Sequence, residues 1–288
     1  MTSSVSSGAR VQCPVEQSED QYNLRQAFPD YPQVSEQWKA ASLALRQAVQ
    51  PQVDLAYGPQ PLQKLDYFSS GKADAPLLIF VHGGYWQGGD KADVSFVGAP
   101  YLKAGINVAS INYSLAPAAR VEDMVIEVRQ AIIWLAEQAQ SLGFDVNRIS
   151  LMGHSAGGHL VSSMVAQGMV EHGLPPIQNV FAVSGVFDLP PLLPSSINDA
   201  LALDSERAEA LSPITRKGPE ATRVYTIIGG DETRQFHEQS EALARVWNVV
   251  EHINVPNTHH FTVMNVLGDP DSPYSQTVVQ AILNPAQA

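Results

Sequence analysis

The chain has one cysteine, Cys13, among its 288 residues. A single thiol allows no intramolecular disulfide, so the fold must rest on its core. Basic side chains are also scarce, with 17 Lys and Arg against 29 Asp and Glu and a formal net charge of −12. No basic stripe is on offer to a phosphate backbone or an anionic bilayer, so nucleic-acid and membrane partners are not expected, and the acidity reads as solubility. No apolar core of a secretory signal opens the chain, and no later stretch stays apolar for the ~20 residues that a bilayer span needs. A cytoplasmic protein is the expectation. Internal repeats and low-complexity tracts are absent as well.

What remains is a chain with 44% hydrophobic and 16% charged residues, long enough to bury a sizeable core in one α/β domain. Short apolar runs alternate with helical patterns. Strands are expected at Tyr57–Phe68, Leu77–Val81, Asn107–Asn112, Arg148–Met152, Val180–Ser184, Arg223–Ile228 and Val249–Val255. The clearest helix is Val121–Ala139, where Val121, Met124, Val125, Val128, Ile132 and Leu135 recur at steps of three and four, and Gly143 closes it. Further helices are expected within Gln21–Val49 and at Ala156–Gln167, Glu232–Trp247 and Tyr274–Leu283. This alternation implies a mostly parallel sheet covered on both faces. Residues 1–19 read as polar and frayed, and residues 1–60 as a cap or brace. The apolar, proline-rich stretch 189–219 is long for a connection and reads as a lid.

The chemistry centres on Gly153-His154-Ser155-Ala156-Gly157, placed between an expected strand and an expected helix. In a chain of this length Gly-x-Ser-x-Gly arises by chance about one time in ten, so the context carries the argument. A serine between strand and helix sits on a sharp turn that exposes its hydroxyl, and the flanking glycines allow the two backbones to approach. Ligands in parallel α/β sheets bind beyond the carboxyl ends of the strands. Four such ends are polar: His82-Gly83-Gly84, Ser155, Asp231 and the pair His259-His260. The order Ser, Asp, His is that of an α/β-hydrolase triad.

Ser155 needs a base to become a nucleophile, imidazole serves near neutral pH, and an acid on the far ring nitrogen orients it. Asp231, one strand before the histidines, is preferred over Asp188. The backbone N–H groups of Gly84, Tyr85 and Ala156 are the candidate oxyanion donors. Trp86, beside them, is a candidate substrate contact, with a packed indole as the alternative. Lys91 is either a site residue or a surface lysine. His154, His159, His172, His237 and His252 read as structural or surface groups, and no histidine spacing suggests a metal.

The elbow together with His82-Gly83-Gly84 resembles the α/β-hydrolases related to hormone-sensitive lipase. The longer string His82-Gly83-Gly84-Tyr85-Trp86, with Lys91, is similar to the arylformamidases (kynurenine formamidases). So are the segments Tyr57-Gly58-Pro59 and Lys64-Leu65-Asp66. The likeness spans about Tyr22 to Val266. Because the family's catalytic histidine precedes a phenylalanine, it points to His260-Phe261 as the base, and it aligns the acid with Asp231. The activity it implies is hydrolysis of N-formylkynurenine to kynurenine and formate through a formyl-serine, with a small-molecule substrate and no cofactor. The rivals are a carboxylesterase for short acyl esters and, ranked lower, a binding protein on a retired hydrolase scaffold.

Overall fold

The computed structural model describes residues 10–284. Its centre is one eight-stranded sheet in the order β1-β2-β4-β3-β5-β6-β7-β8. The strands are β1 (Gln52–Ala56), β2 (Lys64–Phe68), β3 (Ala75–Val81), β4 (Asn107–Ile111), β5 (Phe144–His154), β6 (Ile177–Val183), β7 (Arg223–Gly229) and β8 (Glu251–Val255). β1 and β2 pair antiparallel at one edge, and all pairings from β4 through β8 are parallel. Every residue of β3 is buried, as a strand covered on both faces requires. The mostly parallel sheet flanked by helices is the arrangement expected from the alternation.

Before the sheet lie α1 (Val15–Tyr22), α2 (Leu24–Ala27) and α3 (Tyr31–Val49). α1 lies largely within the stretch expected to be frayed. Buried Tyr22 and Ser18 hold it, the latter donating to the Pro191 carbonyl at 2.7 Å. The part of that expectation falling on residues 1–9 lies outside the described residues. α4 (Ala99–Ala104) precedes β4, and α5 (Val121–Glu137) follows it. The α5 N-terminus is capped by Asp123, whose carboxylate accepts the Arg120 N–H at 2.9 Å. Its face of Val121, Met124, Val125, Val128, Ala131, Ile132 and Leu135 is buried. Each larger side chain there contributes roughly 1.5–3 kcal/mol of transfer free energy. After α6 (Ala139–Leu142), Gly143 takes the left-handed φ of +76° that ends a helix and admits the chain to β5.

α7 (Ala156–Val165) leaves β5 directly. The stretch 189–219 carries α8 (Asn198–Leu201), α9 (Ser205–Ala210) and two single 3-10 turns. Leu189, Leu192, Leu201, Leu203, Leu211 and Ile214 are buried, so the insertion is anchored to the core by its apolar side chains. Only Ser196 and Ile197 of it reach the main cavity. α10 (Arg234–Trp247), α11 (Val263–Leu267) and α12 (Pro273–Leu283) complete the layers. β1, α4 and α11 had no clear pattern in the sequence, because each is six residues or fewer and shows too few turns for a period to register.

Candidate active site

The turn between β5 and α7 puts Ser155 at φ +56° and ψ −119°, a conformation few L-residues hold. Close backbone contact explains both flanking glycines. A Cβ on Gly153 would lie 2.1 Å from the Gly157 carbonyl oxygen, and one on Gly157 would lie 2.0 Å from that of Val81. Ser155 itself is tied to the neighbouring strand by its N–H, which donates to the Val183 carbonyl at 2.8 Å.

The loop after β3 comes against this turn. A Cβ on Gly83 would stand 2.8 Å from both Ser155 Cβ and the His154 carbonyl oxygen. The next three residues all have positive φ: Gly84 +119°, Tyr85 +51° and Trp86 +58°. Such a run turns successive N–H groups away from the strand and makes an anion-binding concavity. Among the described residues, the N–H groups of Gly84, Tyr85 and Ala156 donate to no protein acceptor. Gly84 and Tyr85 line the cavity into which Ser155 opens, and Ala156 begins α7 immediately after it.

His260 also faces that cavity and is 1% exposed. Its Nδ1–H donates to Oε2 of Glu232 at 2.8 Å, which leaves Nε2 as the acceptor. No hydrogen bond joins Nε2 to the Ser155 hydroxyl among the described residues, and bonds between such pairs often tighten only when substrate binds. The other Glu232 oxygen, Oε1, accepts from the Gly229 N–H at 3.0 Å and from the hydroxyl of buried Ser184. This carboxylate is therefore held at both ends.

The expectation that Asp231 stands behind the base is corrected here. Asp231 is exposed. Its own N–H donates to the Thr258 carbonyl at 2.8 Å, and that bond turns its side chain outward while Glu232 folds back beneath the end of β7. The rival Asp188 is also elsewhere. It is buried and accepts Arg10 Nε and the Val11 N–H, both at 2.9 Å, which ties the N-terminal segment down. Glu232 is the carboxylate that meets His260, and its only sequence signal was adjacency to Asp231.

Trp86 is corrected as well. Its indole is fully buried, edge-on to His159 at 5.1 Å between centroids, and is no part of the cavity wall. Tyr85 is the aromatic that lines the cavity, with its hydroxyl donating to the Tyr22 carbonyl at 2.6 Å. Lys91 is neither surface nor site: it is buried against Asp54 at 2.8 Å and Asp66 at 3.0 Å.

Three other histidines frame the site. His154, the variable residue inside the elbow, is buried and donates from Nε2 to the His260 carbonyl at 2.8 Å. Burial, and then the neighbouring His260, hold its pKa well below the ordinary imidazole value, so it stays a neutral strut. His82 stacks on Tyr113 at 4.6 Å and donates from Nδ1 to Gly83 O at 2.8 Å. His259 turns away, pairing with Asp30 at 3.0 Å and stacking on Phe28 at 4.5 Å.

The cavity holds about 440 Å³. Phe80, Phe96, Val97, Trp38 and Met264 give it an apolar wall, and α2 and the start of α3 contribute Leu24, Arg25 and Tyr31. A small apolar pocket with a few convergent polar groups suits a ligand of one or two rings.

Comparison with known proteins fits this geometry. The family description BD-FAE matches residues 65–188. A kynurenine formamidase from Danio rerio is 30% identical over 243 residues, which cover 80% of this chain and 82% of that protein. A crystal structure of a protein from Silicibacter sp. TM1040, described as a candidate thioesterase, superposes with a TM-score of 0.83 at 30% identity. The match covers 92% of this chain and 98% of that one. Esterase B from Lactobacillus rhamnosis, at 22% identity and a TM-score of 0.67 over 88% of this chain and 92% of its own, shares the fold. The chain is a hydrolase, and it belongs to the kynurenine formamidase family of α/β-hydrolases.

Proposed function

We propose that Ser155, His260 and Glu232 form a catalytic triad that hydrolyses an aryl formamide, N-formylkynurenine, to the aryl amine and formate. The observation that carries this reading is the Glu232–His260 bond on the same cavity that receives Ser155 and the unspent N–H groups of Gly84 and Tyr85. Ser155 Oγ attacks the formyl carbon while His260 Nε2 takes its proton. Negative charge on the carbonyl oxygen passes to the N–H groups of Gly84, Tyr85 and Ala156. His260 then protonates the leaving amine, and the C–N bond breaks to leave a formyl ester on Ser155. Water attacks that ester, again giving its proton to His260, and formate departs as Ser155 is restored. Glu232 stays ionised throughout and stabilises the imidazolium.

The apolar wall of Phe96, Val97 and Met264 favours one rival, an esterase that buries a longer acyl chain. A series of acyl groups on one aryl amine separates the two. A formamidase loses kcat/KM steeply from formyl to acetyl to butyryl, because a tight acyl site strains to admit methylenes. An esterase gains, since each buried methylene contributes roughly 0.8 kcal/mol. A flat or rising profile, with p-nitrophenyl butyrate preferred over N-formylkynurenine, would falsify the formamidase reading.

A further inference from the structure

Among the described residues, one Lys or Arg lines the cavity, and it is Arg25. In a chain with net charge −12 an unpaired cation at an active-site mouth is unusual. The Arg25 guanidinium makes no ion pair or side-chain hydrogen bond among the described residues, and it lies 5.4 Å over the ring of Tyr31. That ring packs at 4.3 Å on Phe261, which meets His260 at 5.3 Å. The cation therefore stands a short series of ring contacts from His260, on the wall of the same cavity.

The segment that carries it is anchored from both sides. Leu24 is 3% exposed and Tyr22 is fully buried. The Tyr85 hydroxyl, beside the proposed oxyanion donors, donates to the Tyr22 carbonyl at 2.6 Å. Beyond α2, Phe28 stacks on His259, the residue adjacent to the base. Arg25 is thus held to both walls of the site through its neighbours, although its own side chain is exposed. The acids of the cavity, Asp90 and Asp93, lie in the loop after β3. Asp90 is already occupied by Asn112 Nδ2 and the Ala92 N–H. An anionic group entering the cavity is repelled by these carboxylates, and beyond the N–H groups proposed for the oxyanion its one guanidinium or ammonium partner among the described lining residues is Arg25.

We infer that Arg25 is a specificity-determining residue that binds a carboxylate on the leaving-amine portion of the substrate, so that among aryl formamides otherwise alike the hydrolase selects those that carry the carboxylate. This rests on the formamidase reading for the bond cleaved, while the anion preference itself is a separate property of the cavity. A guanidinium–carboxylate hydrogen bond is charge-assisted, and at an exposed site it supports roughly a tenfold preference.

The test compares 4-(2-formamidophenyl)-4-oxobutanoate with its carboxamide, a pair without an α-ammonium that has the same size and differs by one negative charge. In the native protein kcat/KM is expected to favour the acid by roughly tenfold, mostly through KM, and added salt should reduce the ratio. Arg25→Gln should bring the ratio close to one, and Arg25→Lys should retain part of it. A native ratio near one, or a ratio that Arg25→Gln leaves as it was, overturns the inference. Should neither formamide be cleaved while p-nitrophenyl acetate is, the formamidase reading fails by itself. The same ratio is then read as inhibition of ester hydrolysis by 4-(2-aminophenyl)-4-oxobutanoate and by its carboxamide. Equal inhibition by the two overturns the role of Arg25, and stronger inhibition by the acid that Arg25→Gln abolishes upholds it.

Discussion

Glu232 and His260 meet at 2.8 Å, Oε2 to Nδ1, with both side chains withdrawn from solvent. The bond selects one tautomer of His260 and leaves Nε2 as the acceptor that the proposed triad needs. Ser184 and the Gly229 N–H hold the second carboxylate oxygen, so Glu232 cannot rotate without losing buried partners. Glu232→Gln should lower kcat on the order of 10³–10⁴-fold, because the amide can present the wrong group to the ring. Asp231→Asn, one residue away and exposed, should stay within about twofold of the native rate. Steady-state kinetics of the two variants settles which acid acts. Loss of activity in the Asp231 variant alone would return the role to that residue.

Ser155 holds a strained backbone at the turn between β5 and α7. A non-glycine residue at φ +56° and ψ −119° costs about 1–3 kcal/mol, and the Ser155 side chain makes no capping bond that would be lost. Ser155→Gly should therefore remove nearly all turnover, on the order of 10⁵–10⁶-fold, while raising Tm by roughly 2–4 °C. A lower Tm, measured by calorimetry, would mean that the elbow carries no strain.

The adjacent histidines should separate cleanly. His260→Ala removes the base and should cost about as much as losing the nucleophile, since the two act as a unit. His259 instead holds Asp30 and Phe28, at the entry to α3. His259→Ala should loosen that wall and raise KM, with kcat falling about tenfold or less. A reversal of the two effects in kcat would place the base at His259.

Buried His159 makes stability depend on pH. It is fully buried, donates from Nε2 to the Leu211 carbonyl at 2.8 Å, and burial pushes its pKa down from 6.5 to about 4. The folded protein thus binds fewer protons than the unfolded chain between those values. The stabilisation is complete above pH 6.5 and is lost as pH falls towards about 4, for a total of roughly 3 kcal/mol. Urea midpoints measured from pH 7 to pH 4.5 should fall more steeply in the native protein than in His159→Gln, which has no such group to protonate. Parallel slopes would show that His159 is not the residue responsible.

The elbow, the Gly-Gly loop and the parallel sheet were legible in the chain because each follows from local geometry. Gly153 and Gly157 are required wherever strand and helix cross at 2 Å from a would-be Cβ, and a strand buried on both faces, such as β3, must read as an apolar run. What the chain alone could not decide was where single side chains turn after an element ends. Asp231 and Glu232 both follow β7, and which of them meets His260 goes with one hydrogen bond from the Asp231 N–H to Thr258 in a loop that arrives after another helix and strand. Trp86 read as a site aromatic beside Tyr85, yet consecutive left-handed residues send its indole to His159 in the core and leave Tyr85 on the cavity. Lys91 was drawn inward by Asp54 and Asp66, both far from it in sequence. Local sterics repeat along a chain and leave a pattern; the direction of one side chain past a strand end is set by a distant partner, and that partner is known only once the tertiary structure has formed.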